Sequence, residues 1–116
     1  MNGELTGLLE KIKKFRDERD WKQFHNHKDM AISIALEANE LLERFQWKNE
    51  KELDEVANEK RAELEEELAD IFIYLLEFSD NVGINLIKAA EKKLQKNAEK
   101  YPVFKSKGSS TKYNRL

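Results

Sequence analysis

The sequence predicts an all-α bundle, and two observations carry that prediction. Glu, Lys, Leu and Ala lose little rotamer freedom in a helix and are abundant here, beside one Pro and four Gly. The apolar residues also recur at three- and four-residue spacing along most of the chain. Charged residues make up 38% of the sequence, a level compatible with disorder, but the strong apolar periodicity argues against it.

Four helical segments follow in order. The first is predicted from about Glu4 to Arg19, with Leu5, Leu8, Leu9, Ile12 and Phe15 on one face. A non-periodic connection, Asp20 to His27, is rich in aromatic and imidazole rings. Asp29 is the expected cap of a second helix from about Met30 to Phe45, striped by Ile34, Ala38, Leu41 and Phe45. Residues 46 to 62 are highly charged and read as an exposed loop with some helical content. The third helix spans about Lys60 to Asn81 and is apolar nearly all round from Ile71 to Leu76, which in a small chain implies burial on two sides. A second copy of the chain is therefore expected on one of those sides. Gly83 ends this helix, Asn85 caps a fourth reaching about Lys100, and Pro102 stops it. The expected organisation is a domain over residues 1–102 and a basic, flexible tail over 103–116, with Lys105, Lys107, Lys112 and Arg115.

A chain of 116 residues is one domain with a modest core. A net charge of −2 supplies no field to recruit nucleic acid, so no nucleic-acid partner is expected. The absence of cysteine excludes disulfides and thiolate metal sites and suits the cytoplasm. No apolar run approaches the ~20 residues that span a bilayer, and the N-terminus lacks a signal-peptide pattern. The expectation is a cytoplasmic protein with no membrane partner.

The chemistry lies in two acidic pairs, Glu37 with Glu40 and Glu67 with Asp70. Residues three apart share a helix face. At about 100° per residue, Glu37 and Glu40 stand roughly 60° and 120° to one side of Ile34, and Glu67 and Asp70 stand at the same offsets from Leu64. Antiparallel packing of the second and third helices would let the four carboxylates converge. Ionised carboxylates in one site repel, so a cation is required, and an all-oxygen set suits Mg²⁺, with Mn²⁺ as a substitute. Acidic residues beside an apolar stripe also form an ordinary solvated edge, and spacing alone does not separate the two. Glu63, Glu65 and Glu66 are assigned to solvent or caps. A di-iron bundle needs Glu-x-x-His, which His25 and His27 do not supply.

The acidic pattern, with Arg19 to His25, Phe45 to Lys48, Glu66 to Leu75, and Lys93 through Asn97 to Tyr101-Pro102, resembles the all-α nucleotide pyrophosphohydrolase (MazG-like) superfamily, in its dCTP pyrophosphatase branch. The resemblance covers about residues 4 to 113. It implies a four-helix MazG-like bundle assembled as a tetramer, a dimer of dimers, with active sites between subunits. It implies hydrolysis of a nucleoside triphosphate to the monophosphate and pyrophosphate, with Glu37, Glu40, Glu67 and Asp70 as Mg²⁺ ligands. Either Glu37 or Glu40 is the expected base that orients the attacking water. The resemblance further implies that Trp21, Trp47 and Asn97 line the nucleobase pocket, and a flat aromatic there can stack a base. Tyr74, His25, Lys93, Lys100 and Tyr101 are further substrate-binding candidates, each with ordinary packing or solvation as its alternative. Ile12 stands where cytosine-selective relatives carry a histidine, and His27 replaces a common proline, so the base range is open to other pyrimidines and to modified bases. A different class of function, a non-catalytic helical oligomer that binds proteins or senses nucleotides, would use the same surfaces.

Overall fold

The structure is a computed structural model that describes residues 3–115; Met1, Asn2 and Leu116, the extreme ends of the expected domain and tail, lie outside the described residues. Every regular element among the described residues is helical: α1 (Gly3–Glu18), α2 (His27–Glu43), α3 (Glu50–Glu59), α4 (Arg61–Asn81), α5 (Leu86–Lys100) and α6 (Val103–Ser106), with short 3₁₀ turns at Lys22–Phe24 and Tyr113–Arg115. No helix among them is long and apolar enough to cross a membrane. The chain forms two compact units, one up to Gly83 and one from Ile84.

In the first unit α4 is the central element, packed most extensively on α2 and less on α1 and α3. Leu9 and Ile12 from the α1 stripe are buried with Leu76 of α4, and Leu5, Leu8 and Ile73 pack around them. Each such side chain contributes about 1.5–3 kcal/mol relative to exposure. Phe15, expected on the same stripe, is half exposed. The end of α1 is a Schellman turn: Trp21 N–H donates to the Arg16 carbonyl at 3.0 Å and Asp20 N–H to Asp17 at 3.1 Å. Asp20 takes the left-handed position usually held by glycine, with φ 54°. The Gln23 amide donates to its carbonyl and carboxylate at 3.0 and 3.1 Å, which fixes the turn that presents Trp21.

Asn26, not Asp29, caps α2. Its side chain accepts from Asp29 N–H at 2.9 Å and donates to the Asp29 carboxylate at 2.7 Å. The helix therefore starts three residues before the expected Met30, with Asp29 inside its first turn. α2 and α4 run antiparallel. Arg44, just past the end of α2, pairs with Glu63 and Glu67 near the start of α4. His27, at the start of α2, lies edge-on to Phe78 near the end of α4, with ring centroids 6.1 Å apart.

The segment 46–62 differs most from expectation, because it contains the ten-residue α3. Asn49 and Glu52 form a reciprocal capping box that offsets the cost of starting a short charged helix. Lys60, with φ −104° and ψ 24°, breaks the backbone between α3 and α4.

The second unit starts as expected, with the Asn85 side chain accepting from Lys88 N–H at 3.1 Å to cap α5. Beyond Pro102 the chain forms α6 and then brings Tyr113 edge-on to Tyr101, with centroids 6.0 Å apart. The Lys100 ammonium lies 4.9 Å from the centre of the Tyr113 ring.

Candidate active site

Antiparallel pairing of α2 with α4 brings Glu37, Glu40 and Glu67 together, each offering an oxygen within 4.8 Å of the others. Asp70 is not in this group of three. It lies about one turn further along α4, where its exposed carboxylate lines the neighbouring cavity.

Arg44 donates to Glu67 and Glu63 at 3.1 Å each. Glu63 is thereby tied to the site rather than to solvent alone. The hydrogen bond to Glu67 is the main cause that raises the Arg44 guanidinium above its ordinary range, with burial opposing it. One guanidinium does not balance three carboxylates. Hydrogen bonding with Glu67 and then Glu37, followed by their charges, pushes the Glu40 carboxyl up to about 7. One oxygen of Glu37 and one of Glu67 are buried without a hydrogen-bond partner. A buried acceptor left in this state is costly, and a cation relieves both the orphaned oxygens and the repulsion. The donor set is entirely carboxylate oxygen, which fits a hard divalent ion.

This geometry has a pH signature. Glu40 in the fold keeps its proton above the ordinary value of 4.5, so its contribution to stability is present below that pH and lost as pH rises through about 7. In thermal melts with a chelator, Tm is expected to fall between about pH 5 and about pH 8. Glu40→Gln should flatten that fall, and adding Mg²⁺ should raise Tm most at the alkaline end. A wild-type profile flat across this range would contradict the crowding of charge.

The face of α4 that carries Glu67 continues through Asp70 and Tyr74 to Glu77, the last three lining a cavity of about 360 Å³. Burial first, and then the charges of Glu37, Asp70 and Glu77, raise the Tyr74 phenol above its usual range, so it remains a neutral donor between the acidic cluster and the cavity. Trp21 and His25 form part of the same wall, together with the apolar side chains of Ile12, Phe15 and Ile73. The Phe15 and Trp21 rings meet edge-on at 5.7 Å, and Trp21 lies 6.5 Å from His25.

At the end of this face Glu77 and Arg16 are both buried. Glu77 Oε1 lies 2.6 Å from His25 Nδ1 and 3.6 Å from Arg16 Nη1. Arg16 Nε also donates to Asp17 at 2.9 Å. That bond is the largest cause of the raised Arg16 guanidinium and lowered Asp17 carboxyl.

Trp21, His25 and Tyr74 are thus brought to one cavity beside the carboxylates. Trp47 is not: it lies on the turn after α2, is 87% exposed, and does not line that cavity. Lys93, Asn97 and Lys100 follow one another at helical spacing on α5, with Tyr101 at its C-cap and Asn97 half-buried, all within the second unit. Arg16, Arg44 and Glu77 were not anticipated. Each had a signal: Arg16 continues the α1 stripe one turn after Ile12, Arg44 follows Glu40 by four residues, and Glu77 extends the spacing of Glu67, Asp70 and Tyr74.

The MazG-like family profile matches residues 32–116. The dCTP pyrophosphatase 1 of Rattus norvegicus is 39% identical over 104 residues, which is 88% of this chain and 61% of the relative. The Homo sapiens protein of the same name is 36% identical over 104 residues, with the same shares covered. The chain therefore spans about three-fifths of the length of these curated relatives. A crystal structure of a pyrophosphatase from Archaeoglobus fulgidus superposes with a TM-score of 0.83 at 43% identity, covering 88% of this chain and 95% of that one.

Proposed function

This chain belongs to the MazG-like family, and we propose that it is a Mg²⁺-dependent pyrophosphohydrolase of a pyrimidine deoxynucleoside triphosphate. dCTP or a base-modified form of it is the proposed substrate, and the monophosphate and pyrophosphate are the products. The observation that carries this reading is the convergence of Glu37, Glu40 and Glu67, about one helical turn from Asp70, which lines an aromatic-walled cavity. The names of the relatives, dCTP pyrophosphatase 1 and a pyrophosphatase, support the reaction class.

In this reading Glu37, Glu40 and Glu67 hold the divalent ion, with Asp70 as the fourth carboxylate on the cavity side. The bound ion supplies charge neutralisation of the triphosphate and lowers the pKa of water. Glu40 is the exposed member of the cluster and the better placed of Glu37 and Glu40 to orient an attacking water and take its proton. Trp21 stacks the base, and the neutral phenol of Tyr74 donates to the sugar or a phosphate. In the second unit, Lys93, Lys100 and Tyr101 are the candidate phosphate contacts and Asn97 the candidate base contact.

The proposal includes a homo-oligomer, a dimer of dimers, working on the cytoplasmic nucleotide pool. Ile32, Leu36 and Leu42 of α2 and Leu68 and Phe72 of α4 are exposed apolar side chains that a second copy would cover. Trp47 then completes a pocket in a neighbouring protomer.

The test is a panel of canonical and modified (d)NTPs with Mg²⁺ and chromatographic identification of products. Monophosphate with pyrophosphate from a pyrimidine deoxynucleotide is the expected result. Diphosphate with phosphate, or no product from any member, would overturn the proposal; the second outcome would leave a binding or interaction module.

A further inference from the structure

We propose that His25 selects the base in the cavity, and that buried Glu77, paired with Arg16, is a positioning residue that sets which edge of His25 a ligand meets. The recognised group is the exocyclic amine of a 4-aminopyrimidine, and this inference rests on the cavity being the base site of the proposed enzyme.

Glu77 is 3% exposed and Arg16 is 5% exposed, yet both side chains line a cavity whose other walls are largely apolar. Burying an ion pair is costly, and apolar residues of similar volume often serve stability as well. Its placement against His25 gives it a second role. The Glu77 oxygen that lies 2.6 Å from His25 Nδ1 also faces the Arg16 guanidinium at 3.6 Å. A guanidinium pairs with a carboxylate, and a carboxylate only accepts hydrogen bonds, so the proton between Glu77 and His25 is carried by Nδ1. In the neutral ring this leaves Nε2 as an acceptor. No described residue hydrogen-bonds Nε2.

The cavity wall therefore combines aromatic surfaces from Trp21 and Phe15 with a histidine whose Nδ1 is held by Glu77. Ile12 and Ile73 offer no hydrogen bond to a base edge. A 4-amino group donates to Nε2. A 4-keto oxygen placed there meets a lone pair, and both acceptors go unsatisfied on burial, which is the stronger form of discrimination.

Two measurements test this on the full-length protein. First, kcat/KM is compared for dCTP and dUTP with Mg²⁺ in the wild type, His25→Gln and Glu77→Gln. Wild type is expected to favour dCTP by at least about tenfold. His25→Gln places an amide that can turn either its oxygen or its nitrogen to the base. It should reduce that ratio several-fold, mainly through KM for dCTP, and Glu77→Gln should move the ratio in the same direction. A ratio unchanged by His25→Gln would overturn the inference.

Second, long-range ¹H–¹⁵N NMR of histidine-labelled wild type reads the tautomer directly, with a His27→Asn sample for assignment. The Nδ1–H tautomer is expected for the neutral His25 ring. An Nε2–H tautomer or an imidazolium would overturn the inference, whether or not Glu77→Gln folds. Hydrolysis without amino-over-keto preference would sink this inference and leave the proposed function standing. Absence of hydrolysis of every nucleotide would remove the proposed function, while NMR would still decide the tautomer.

Discussion

Glu67→Gln is expected to lower pyrophosphate release at saturating Mg²⁺ by roughly 10²–10³-fold, the range for losing one preorganised electrostatic contact at a reacting group. The substitution is nearly isosteric, and its amide oxygen can still accept from Arg44, which meets Glu67 at 3.1 Å and keeps Glu63 as a second partner. One negative charge leaves a cluster whose crowding holds the Glu40 carboxyl near 7. The metal-free variant should therefore melt no lower than wild type near neutral pH and should gain less from added Mg²⁺. Activity and stability move in opposite directions, which separates the loss of a ligand from damage to the fold. Glu66→Gln, at the exposed neighbouring position, should change neither. Full turnover in Glu67→Gln, measured as pyrophosphate against Mg²⁺ concentration, would sink the metal-site reading and favour a non-catalytic module.

The elements most legible from sequence were those with long, regular apolar spacing. α1 and α4 start and stop within one residue of expectation, because Leu5 to Ile12 and Leu64 to Leu76 each mark a face that must be buried. The segment before α4 was harder. Its charge suggested solvent, but Asn49 and Glu52 cap each other's backbone and thereby start α3 without a broad apolar face. The same kind of local hydrogen bonding moved the start of α2 to Asn26: two capping-competent residues lie three apart there, and the first one caps. Apolarity all round Ile71 to Leu76 predicts burial on two sides. In the single chain Leu76 is buried while Phe72 and Leu68 remain exposed, so the second side is left for whatever covers it.

The carboxylate cluster was half legible for a physical reason. Periodicity specifies direction about a helix axis, not position along it. Matching offsets put both acidic pairs on facing flanks, but the longitudinal register decided that Glu37 and Glu40 meet Glu67 while Asp70 falls on the cavity. The Arg16–Glu77 pair was hidden differently. Its partners are remote in sequence, and a charge on an apolar stripe reads as an interruption until the opposite helix supplies its counter-charge.

Arg16→Met is expected to destabilise the protein by ~3–5 kcal/mol, because removing one partner leaves the other buried charge uncompensated. Glu77, 3% exposed, would retain only His25, at 2.6 Å, as a charge or hydrogen-bond partner. A loss of that size lowers Tm by more than about 10 °C in a domain of this length. The double variant Arg16→Met with Glu77→Leu should recover most of the loss, since the desolvation penalty disappears along with the pair. Urea denaturation of both variants and wild type measures the difference, and a double-mutant cycle isolates the coupling. If the pair acts only in stability, the double variant should keep the base preference of the wild type. If Glu77 sets the His25 tautomer, the double variant folds well and loses that preference, because nothing then holds the Nδ1 proton. Equal stability of Arg16→Met and wild type would mean that the 3.6 Å pair carries little energy, and that Asp17 is the principal partner of Arg16.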